Sequence, residues 1–261
     1  MPDFKNKRYW ARPPLNYNRD TTGLWQWYEQ PLGQALLSEE LEELERVLPG
    51  LFGYHLLQVG RWARCDAFNS TLINHCMVMV PGAGYSDRAG LLGDPAALPL
   101  AAESVDVVIL PHVLEWHGDP HQVLREIDRV LVPEGHVVIM GFNPMSLWGL
   151  WRALRLGRGP VPWCARFMTI RRTVDWLKLL GFKRVACRRY FFRPPVIHAG
   201  VMRHLDFMER LGRRWWPRLG GAYMLVSRKK VVTMTPIRPR WKLRRAVMGA
   251  GLIQNNRNGN T

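Results

Sequence analysis

Between residues 55 and 140, short apolar segments alternate with segments of helical periodicity, and this alternation constrains the fold more than any other feature. The apolar segments predict strands at residues 55–59, 76–80, 90–92, 105–110 and 136–140. Such alternation is typical of a parallel sheet that helices cover on both faces. The turns after parallel strands lie along one side of the sheet, here called the carboxyl rim, where ligands bind. We therefore expect an α/β fold with its binding site at this rim.

The clearest helix lies in GDPHQVLREIDRVLVPEG, residues 118–135. Asp119 suits the N-terminal cap and Pro120 suits the first turn. Apolar residues recur at helical spacing and predict the buried face: Val123, Leu124, Ile127, Val130 and Leu131. Pro133 and Gly135 then predict a turn into the next strand.

A second amphipathic helix is predicted at residues 33–48, before the first strand. Its predicted buried stripe consists of leucines: Leu37, Leu41, Leu44 and Leu48. Its predicted outer face consists of glutamates: Glu39, Glu40, Glu43 and Glu45. Pro49 and Gly50 end the helix.

Residues 93–139 carry an Asp-led turn (GDP), the step LPL, the strand VDVVIL, the segment HVLEW and the helix LREIDRVLVPEG. These features, in this order, resemble the central block of class I S-adenosylmethionine-dependent methyltransferases of the type 11 group. The resemblance extends over about residues 50–230. Residues 174–192 are similar to the family's last helix and sixth strand, and residues 220–229 to its antiparallel seventh strand. The segment GFNPMSLWGLWR and the basic tail are similar to the YafS-like branch.

The resemblance implies a seven-stranded Rossmann-like sheet, mostly parallel with an antiparallel last strand, and helices on both faces. We expect three parts: residues 1–50, a leader with an amphipathic helix; residues 51–230, the methyltransferase-like domain; and residues 231–261, a basic, disordered tail. Residues 193–219 form an insertion whose middle, 201–212, has helical spacing. Because the sixth strand is parallel, the insertion should overhang the carboxyl rim.

The resemblance also implies S-adenosylmethionine as cofactor and a methyltransferase activity, with the acceptor unassigned. The cofactor is expected along the carboxyl rim, at these residues: Gln58, Gly60, Arg61, Val80, Pro81, Asp94, Pro95 and Pro111. Asp94 occupies the family's adenine-contacting turn. Removing its carboxylate should therefore weaken cofactor binding.

The first turn departs from the family pattern Glu/Asp-x-Gly-x-Gly-x-Gly, because Gln58, Gly60, Trp62 and Arg64 occupy those four places. The second predicted strand ends in Val80-Pro81, without the acid that holds the ribose hydroxyls in the family. These departures leave two functions open. The chain is an active methyltransferase, or it is a noncatalytic protein of the same fold that binds nucleic acid or an anionic membrane.

Two histidines are candidate catalytic bases, because imidazole titrates near neutral pH. His112 matches the first histidine of the family segment HVLEH, and His117 follows Trp116, which replaces the second. The structural alternative is a histidine that packs at the start of a helix.

Charge is unevenly distributed: residues 1–151 have a net charge of −7 and residues 152–261 a net charge of +23. The basic part contains three clusters of arginine and aromatic residues, RRYFFR (188–193), RRWWPR (213–218) and RPRWKLRR (238–245). Such clusters suit stacking on nucleic-acid bases, anchoring at an anionic membrane, or a solvated surface. In the second cluster Arg213, Arg214, Trp215, Trp216 and Arg218 are expected beside the substrate entrance.

The four cysteines have neither metal-site nor disulfide-framework spacing, which favours a reducing compartment. No apolar run approaches the roughly 18 residues that span a bilayer. We therefore expect a cytoplasmic protein, free or peripheral at a membrane.

Overall fold

The computed structural model describes residues 17–60, 71–81, 90–155, 159–195 and 206–230. They form a seven-stranded sheet in the order β3-β2-β1-β4-β5-β7-β6. The strands are β1 (His55–Val59), β2 (His75–Val80), β3 (Leu91–Leu92), β4 (Val105–Pro111), β5 (Leu131–Phe142), β6 (Phe182–Tyr190) and β7 (Ala222–Lys229). β7 pairs antiparallel with both β5 and β6, whereas β1 to β5 pair in parallel. This topology confirms the predicted fold class.

Helices α1 to α7 are Tyr17–Tyr28, Pro31–Val47, Val113–Trp116, Pro120–Val130, Leu147–Leu154, Ile170–Leu179 and Asp206–Trp215. The predicted cap of α4 is confirmed, because Asp119 Oδ1 accepts hydrogen bonds from the backbone N–H groups of His121 and Gln122. The apolar face predicted for this helix is also buried. Residues 107–110 of β4 are wholly buried, as expected for a central strand between two helical layers.

Helix α2 differs from its prediction on the polar side. Glu40 and Glu43, which were expected on the outer face, are both buried. The helix is therefore rotated so that Leu36, Glu40 and Leu44, spaced by four residues, face the core. Burial of a carboxylate is costly unless it is paired, and Glu40 has two polar partners in the core.

The turn predicted at Pro133 and Gly135 takes the form of an irregularity within β5. Val105 pairs with Leu131 and Val107 pairs with His136, so four intervening residues of β5 have no partner in β4. Glu134, within this segment, has a φ of 64°. The change of direction is thus made without ending the strand.

The chain divides into two compact units, Met1–Val231 and Val232–Thr261. All described residues belong to the first unit. Among them, no helix combines the length and apolar character needed to cross a membrane. The predicted tail, residues 231–261, lies outside the described residues, and the division into three parts stays a prediction.

Candidate functional site

Two turns of the carboxyl rim are hydrogen-bonded to the end of β2. The Gly60 N–H donates to the Met79 carbonyl at 2.8 Å, and the Gly93 N–H donates to the Val80 carbonyl at 3.0 Å. Gly60 has a φ of 83°, a conformation that favours glycine. Because β2 lies between β1 and β3, the turn after β1 and the turn after β3 flank its carboxyl end, one on each side.

Gln58 stabilises the first of these turns. Its side chain is buried, and its Nε2 donates to the Gly60 carbonyl at 3.1 Å. The side chain thus braces the backbone at the place where the family pattern has a carboxylate. Arg61, with Trp62 and Arg64, lies outside the described residues.

The end of β2 presents apolar side chains. Val80 is buried and Pro81 is half-buried. Within residues 55–60 and 75–81, the described ends of β1 and β2 therefore supply backbone groups and no carboxylate.

Asp94 is the acidic group of this part of the rim, and its side chain is 61% exposed. Its Oδ1 accepts a hydrogen bond from the Ala96 N–H at 2.8 Å and lies 3.2 Å from His117 Nε2. Pro95 is buried behind it. The carboxylate is thus held in place by the turn after β3 and by the residue that follows α3, yet remains open to solvent.

The turn after β4 is conformationally strained. Pro111 is buried at the end of the strand, and His112 follows it with a φ of 55°. A non-glycine residue in this region costs roughly 1 to 3 kcal/mol and persists only where its surroundings fix it. The buried imidazole of His112 packs on the Phe142 ring, with centroids 4.2 Å apart.

Two buried glutamates hold both nitrogens of this imidazole. His112 Nδ1 lies 2.8 Å from Glu115 Oε2, and His112 Nε2 lies 2.8 Å from Glu40 Oε1. The Tyr28 hydroxyl donates to Glu40 at 2.9 Å, and the Phe142 N–H donates to Glu115. The cluster therefore joins α1 and α2 to the turn after β4.

The charges of the cluster follow from this geometry. Burial by itself lowers the pKa of His112, but the two carboxylates outweigh burial and raise that pKa to about 10. Burial raises the pKa of Glu115, an effect that the facing imidazolium partly offsets. At neutral pH we therefore expect the His112 ring to be a cation, held between the side chains of Glu40 and Glu115.

The two candidate bases have different surroundings. The ring of His112 is fully buried and bonded at both nitrogens, so an acceptor can reach it only by displacing a glutamate. This arrangement favours the structural alternative for His112. The His117 side chain is 13% exposed, and its Nδ1 lies 3.0 Å from the Asp119 carbonyl. Its Nε2 faces Asp94, which places it at the rim.

The insertion contributes to the other half of the rim. The Glu209 carboxylate accepts hydrogen bonds from the backbone N–H groups of Phe191 and Phe192, at 3.1 and 2.8 Å. Asn143 Nδ2 donates to the carbonyls of Arg218 and Gly220. Since Phe191 follows β6 and Asn143 follows β5, residues 206–219 lie at the carboxyl rim, as the sequence predicts.

The clusters of arginine and aromatic residues differ in their exposure. Tyr190, Phe191 and Phe192 of RRYFFR are buried in the core, so their rings cannot stack on nucleic-acid bases and this reading of the cluster is wrong. In RRWWPR the side chains of Arg214, Trp215, Trp216 and Arg218 are exposed. The side chain of Arg213 and the cluster at 238–245 lie outside the described part of the chain.

Residues 61–139 match the family described as "Methyltransferase domain". The uncharacterized Escherichia coli K12 protein YafS is 32% identical over 209 residues, which span 80% of this chain and 82% of YafS. The chain belongs to the class I S-adenosylmethionine-dependent methyltransferases. A malonyl-[acyl-carrier protein] O-methyltransferase of Methylovorus sp. strain MP688 is 34% identical over 123 residues, 47% of this chain and 41% of that protein.

A solved S-adenosylmethionine-dependent methyltransferase from Thermotoga maritima shares the fold of this methyltransferase-family chain. Its TM-score is 0.61 at 16% sequence identity, over 82% of this chain and 98% of that chain. The seven-stranded sheet of this chain, with its antiparallel β7, is the fold that the resemblance in the sequence implied.

The described rim of this methyltransferase-family chain fits the family's cofactor at two points. Gly60 carries no side chain beside its backbone, and the Asp94 carboxylate is exposed in the turn that the resemblance matches to the adenine end of the cofactor. At the ends of β1 and β2, Gln58 and Val80 offer no charge for the cofactor's ammonium and ribose groups. Of the positions that the resemblance matches to cofactor contacts, the turn at Asp94 therefore keeps its acid, whereas the ends of β1 and β2 do not.

Glu40 is the member of the buried cluster around His112 that the sequence did not predict. Its partner His112 is 72 residues away, so no local pattern connects them. One signal was present: Glu40 lies four residues after Leu36 and four before Leu44, in line with two apolar residues.

Proposed function

We propose that this protein is an S-adenosylmethionine-dependent methyltransferase whose cofactor lies along the turns after β1, β3 and β4. One observation carries the proposal: Gly60 and Gly93 hydrogen-bond to consecutive residues of β2, which places the Gly60 turn and the Asp94 turn at the same end of the sheet, one on each side of β2. Gly60 itself has no side chain that would hinder a ligand from approaching its backbone. The exposed Asp94 carboxylate can accept hydrogen bonds from the ligand's amino or hydroxyl groups.

When bound, the cofactor supplies an electrophilic methyl group for transfer to a nucleophile. The contribution of the chain is then mainly to position the reactants. We assign a positioning role to His112, because it fixes the strained turn at Pro111 between two carboxylates. His117 lies beside Asp94 at the rim and is the better placed of the two histidines to accept a proton.

A noncatalytic binding protein of the same fold is the second candidate. The bond between Gln58 Nε2 and the Gly60 carbonyl favours it, because this amide occupies the place of a cofactor-binding acid. Losing two charged contacts, at the ends of β1 and β2, would cost roughly 3 to 6 kcal/mol, or about 10² to 10⁴ in affinity. An active enzyme must recover that loss through other contacts of the rim.

Calorimetric titration of two aspartate variants tests the proposed site. Asp94→Ala should weaken binding of S-adenosylmethionine by about 10- to 100-fold, the worth of one hydrogen bond to a charged group. Asp175→Ala, a matched change of an exposed aspartate on α6, should leave the affinity unchanged. Equal affinities for wild type and Asp94→Ala would remove Asp94 from the site.

A further inference from the structure

Helix α5 has an apolar stripe on its outer face. Four exposed residues recur at helical spacing along this face: Leu147, Leu150, Trp151 and Leu154. Leu150 is 57% exposed and Leu154 is 70% exposed. The opposite face already contacts the core through Trp148, which stacks on Phe142 at 5.7 Å. The outer stripe therefore adds nothing to the core, although leaving it in water is unfavourable.

Helix α7 and the turn that follows it present a second group of exposed apolar residues next to this stripe. They are Leu211, Trp215, Trp216 and Leu219, and Trp215 is 69% exposed. A groove of about 400 Å³ runs between the two groups, and its lining is almost entirely apolar. The groove is lined by Leu147, Phe192, Met208, Leu211, Gly212, Trp216 and Leu219. We call these two exposed groups and the groove the α5–α7 surface.

The surroundings of the α5–α7 surface are basic. Residues 143–160 and 210–219 contain seven arginines and no acidic residue. Arg155 lies over the Trp151 ring, 5.0 Å from its centroid, and Arg214 and Arg218 are exposed. The neighbouring acid Glu209 is turned inward, towards the backbone N–H groups of Phe191 and Phe192. An occupant of the surface therefore meets exposed aliphatic groups, tryptophans and positive charge together.

We propose that the α5–α7 surface docks on an anionic phospholipid bilayer, with the apolar stripe among the acyl chains and the arginines at the headgroup phosphates. Tryptophan and arginine beside an apolar stripe are suited to this boundary. A nucleic acid would also attract the arginines, but it offers no apolar phase for Leu150 and Leu154. The proposal goes beyond methyl transfer, since docking requires neither cofactor nor acceptor.

The docked face lies at the same rim as the candidate cofactor site. Helix α5 follows the carboxyl end of β5, and α7 is bonded to the residues after β6. β5 is the neighbour of β4, and strands in a sheet are about 4.8 Å apart. Docking would therefore bring the rim itself towards the lipid surface.

Flotation of the full chain with lipid vesicles tests the proposal. The protein should float with vesicles of phosphatidylcholine mixed with phosphatidylglycerol, and much less with phosphatidylcholine alone. The triple change Arg155→Ala, Arg214→Ala and Arg218→Ala should weaken binding to the anionic vesicles by roughly 100-fold. The double change Leu150→Ser and Leu154→Ser should weaken it at high salt as well, because the apolar contribution is not screened.

Matched controls change exposed residues that do not belong to the α5–α7 surface. Leu179→Ser changes an 85% exposed leucine at the end of α6, and the triple change Arg171→Ala, Lys178→Ala and Lys183→Ala removes three exposed charges. Both controls should float like wild type. If the leucine variant is less stable on thermal unfolding, the arginine variant, which removes only surface charge, still decides the question.

Three results would overturn the proposal. The first is that wild type fails to float with anionic vesicles, and the second is that the controls lose binding as much as the α5–α7 variants. The third is that the arginine variant loses affinity for a nucleic acid duplex or single strand while its vesicle binding is unchanged. That last result would assign the surface to nucleic acid.

Discussion

Replacing Glu40 by glutamine removes one charge from the buried cluster around His112 while preserving the size of the side chain. The single amide oxygen can accept only some of the hydrogen bonds that the Glu40 carboxylate accepts from Tyr28 and His112. The amide N–H₂ group would also point donors at partners that are themselves donors. His112 would then keep Glu115 as its charged partner in the cluster.

The expected change in the free energy of unfolding follows from the burial of the Glu40, His112 and Glu115 side chains. Removing one partner of a buried ion pair costs roughly 3 to 5 kcal/mol where the other charge is left without compensation, and less here because Glu115 still faces His112. We therefore expect Glu40→Gln to lower the free energy of unfolding by about 1 to 3 kcal/mol at pH 7, the cost of a buried group that loses a hydrogen-bond partner. Glu45→Gln, on the exposed face of the same helix, should change it by about 0.5 kcal/mol or less.

The effect should depend on pH with a definite sign. The pKa of His112 is raised from 6.5 to about 10 in the folded protein, so folding retains a proton that the unfolded chain loses. The stabilisation is complete below about pH 6.5 and is lost as the pH rises towards 10, with a slope of up to about 1.4 kcal/mol per pH unit. The raised pKa of Glu115 has the same sign. Because Glu40→Gln should lower the pKa of His112, the difference between wild type and variant should shrink at alkaline pH.

Urea unfolding followed by circular dichroism, at a series of pH values between 6 and 9.5, measures the difference in the free energy of unfolding between wild type and variant and its dependence on pH. We expect a difference near pH 6.5 that decreases towards pH 9.5. A variant whose free energy of unfolding lies within about 0.5 kcal/mol of wild type at pH 7, as for a surface change, would refute the buried cluster. A large difference that is independent of pH would refute the charged state of His112.

Two further changes have simpler expectations. Gly60→Ala should destabilise the protein by about 1 to 2 kcal/mol, since its φ of 83° disfavours a side chain, and calorimetry should show weaker binding of S-adenosylmethionine. Ser146→Ala removes the cap that accepts from the Gly149 N–H at the start of α5, and thermal unfolding should report a loss of about 1 kcal/mol. Unchanged unfolding of either variant would contradict the local geometry described for it.

The strands and the α4 helix could be predicted because their information is local. Alternation, capping and apolar spacing identified β1, β2, β4 and the face of α4 within a few residues of their observed bounds. The resemblance to the family then supplied the order and direction of the remaining strands, which periodicity alone does not contain. Local periodicity and the family resemblance predict the same strands because each strand's burial pattern follows from its place in the sheet.

The cluster around His112 could not be predicted, because its members are far apart in the sequence. An amphipathic pattern assigns glutamate to the surface, and only the contacts with Tyr28 and His112 explain why Glu40 is buried. The same limit applies to His112, whose burial depends on α2 and Phe142 rather than on its own neighbours. Long-range polar pairs thus decide which of the two candidate histidines faces the rim.

Titration of the wild-type chain with S-adenosylmethionine and S-adenosylhomocysteine, by isothermal calorimetry, tests the central claim most directly. We expect saturable binding of one ligand per chain, competition between the two ligands, and a higher thermal unfolding midpoint when either is in excess. The absence of both heat and thermal shift, with a folded protein, would contradict the claim that the Gly60 and Asp94 turns form a cofactor site. In that case the noncatalytic binding protein would be the better description of this chain.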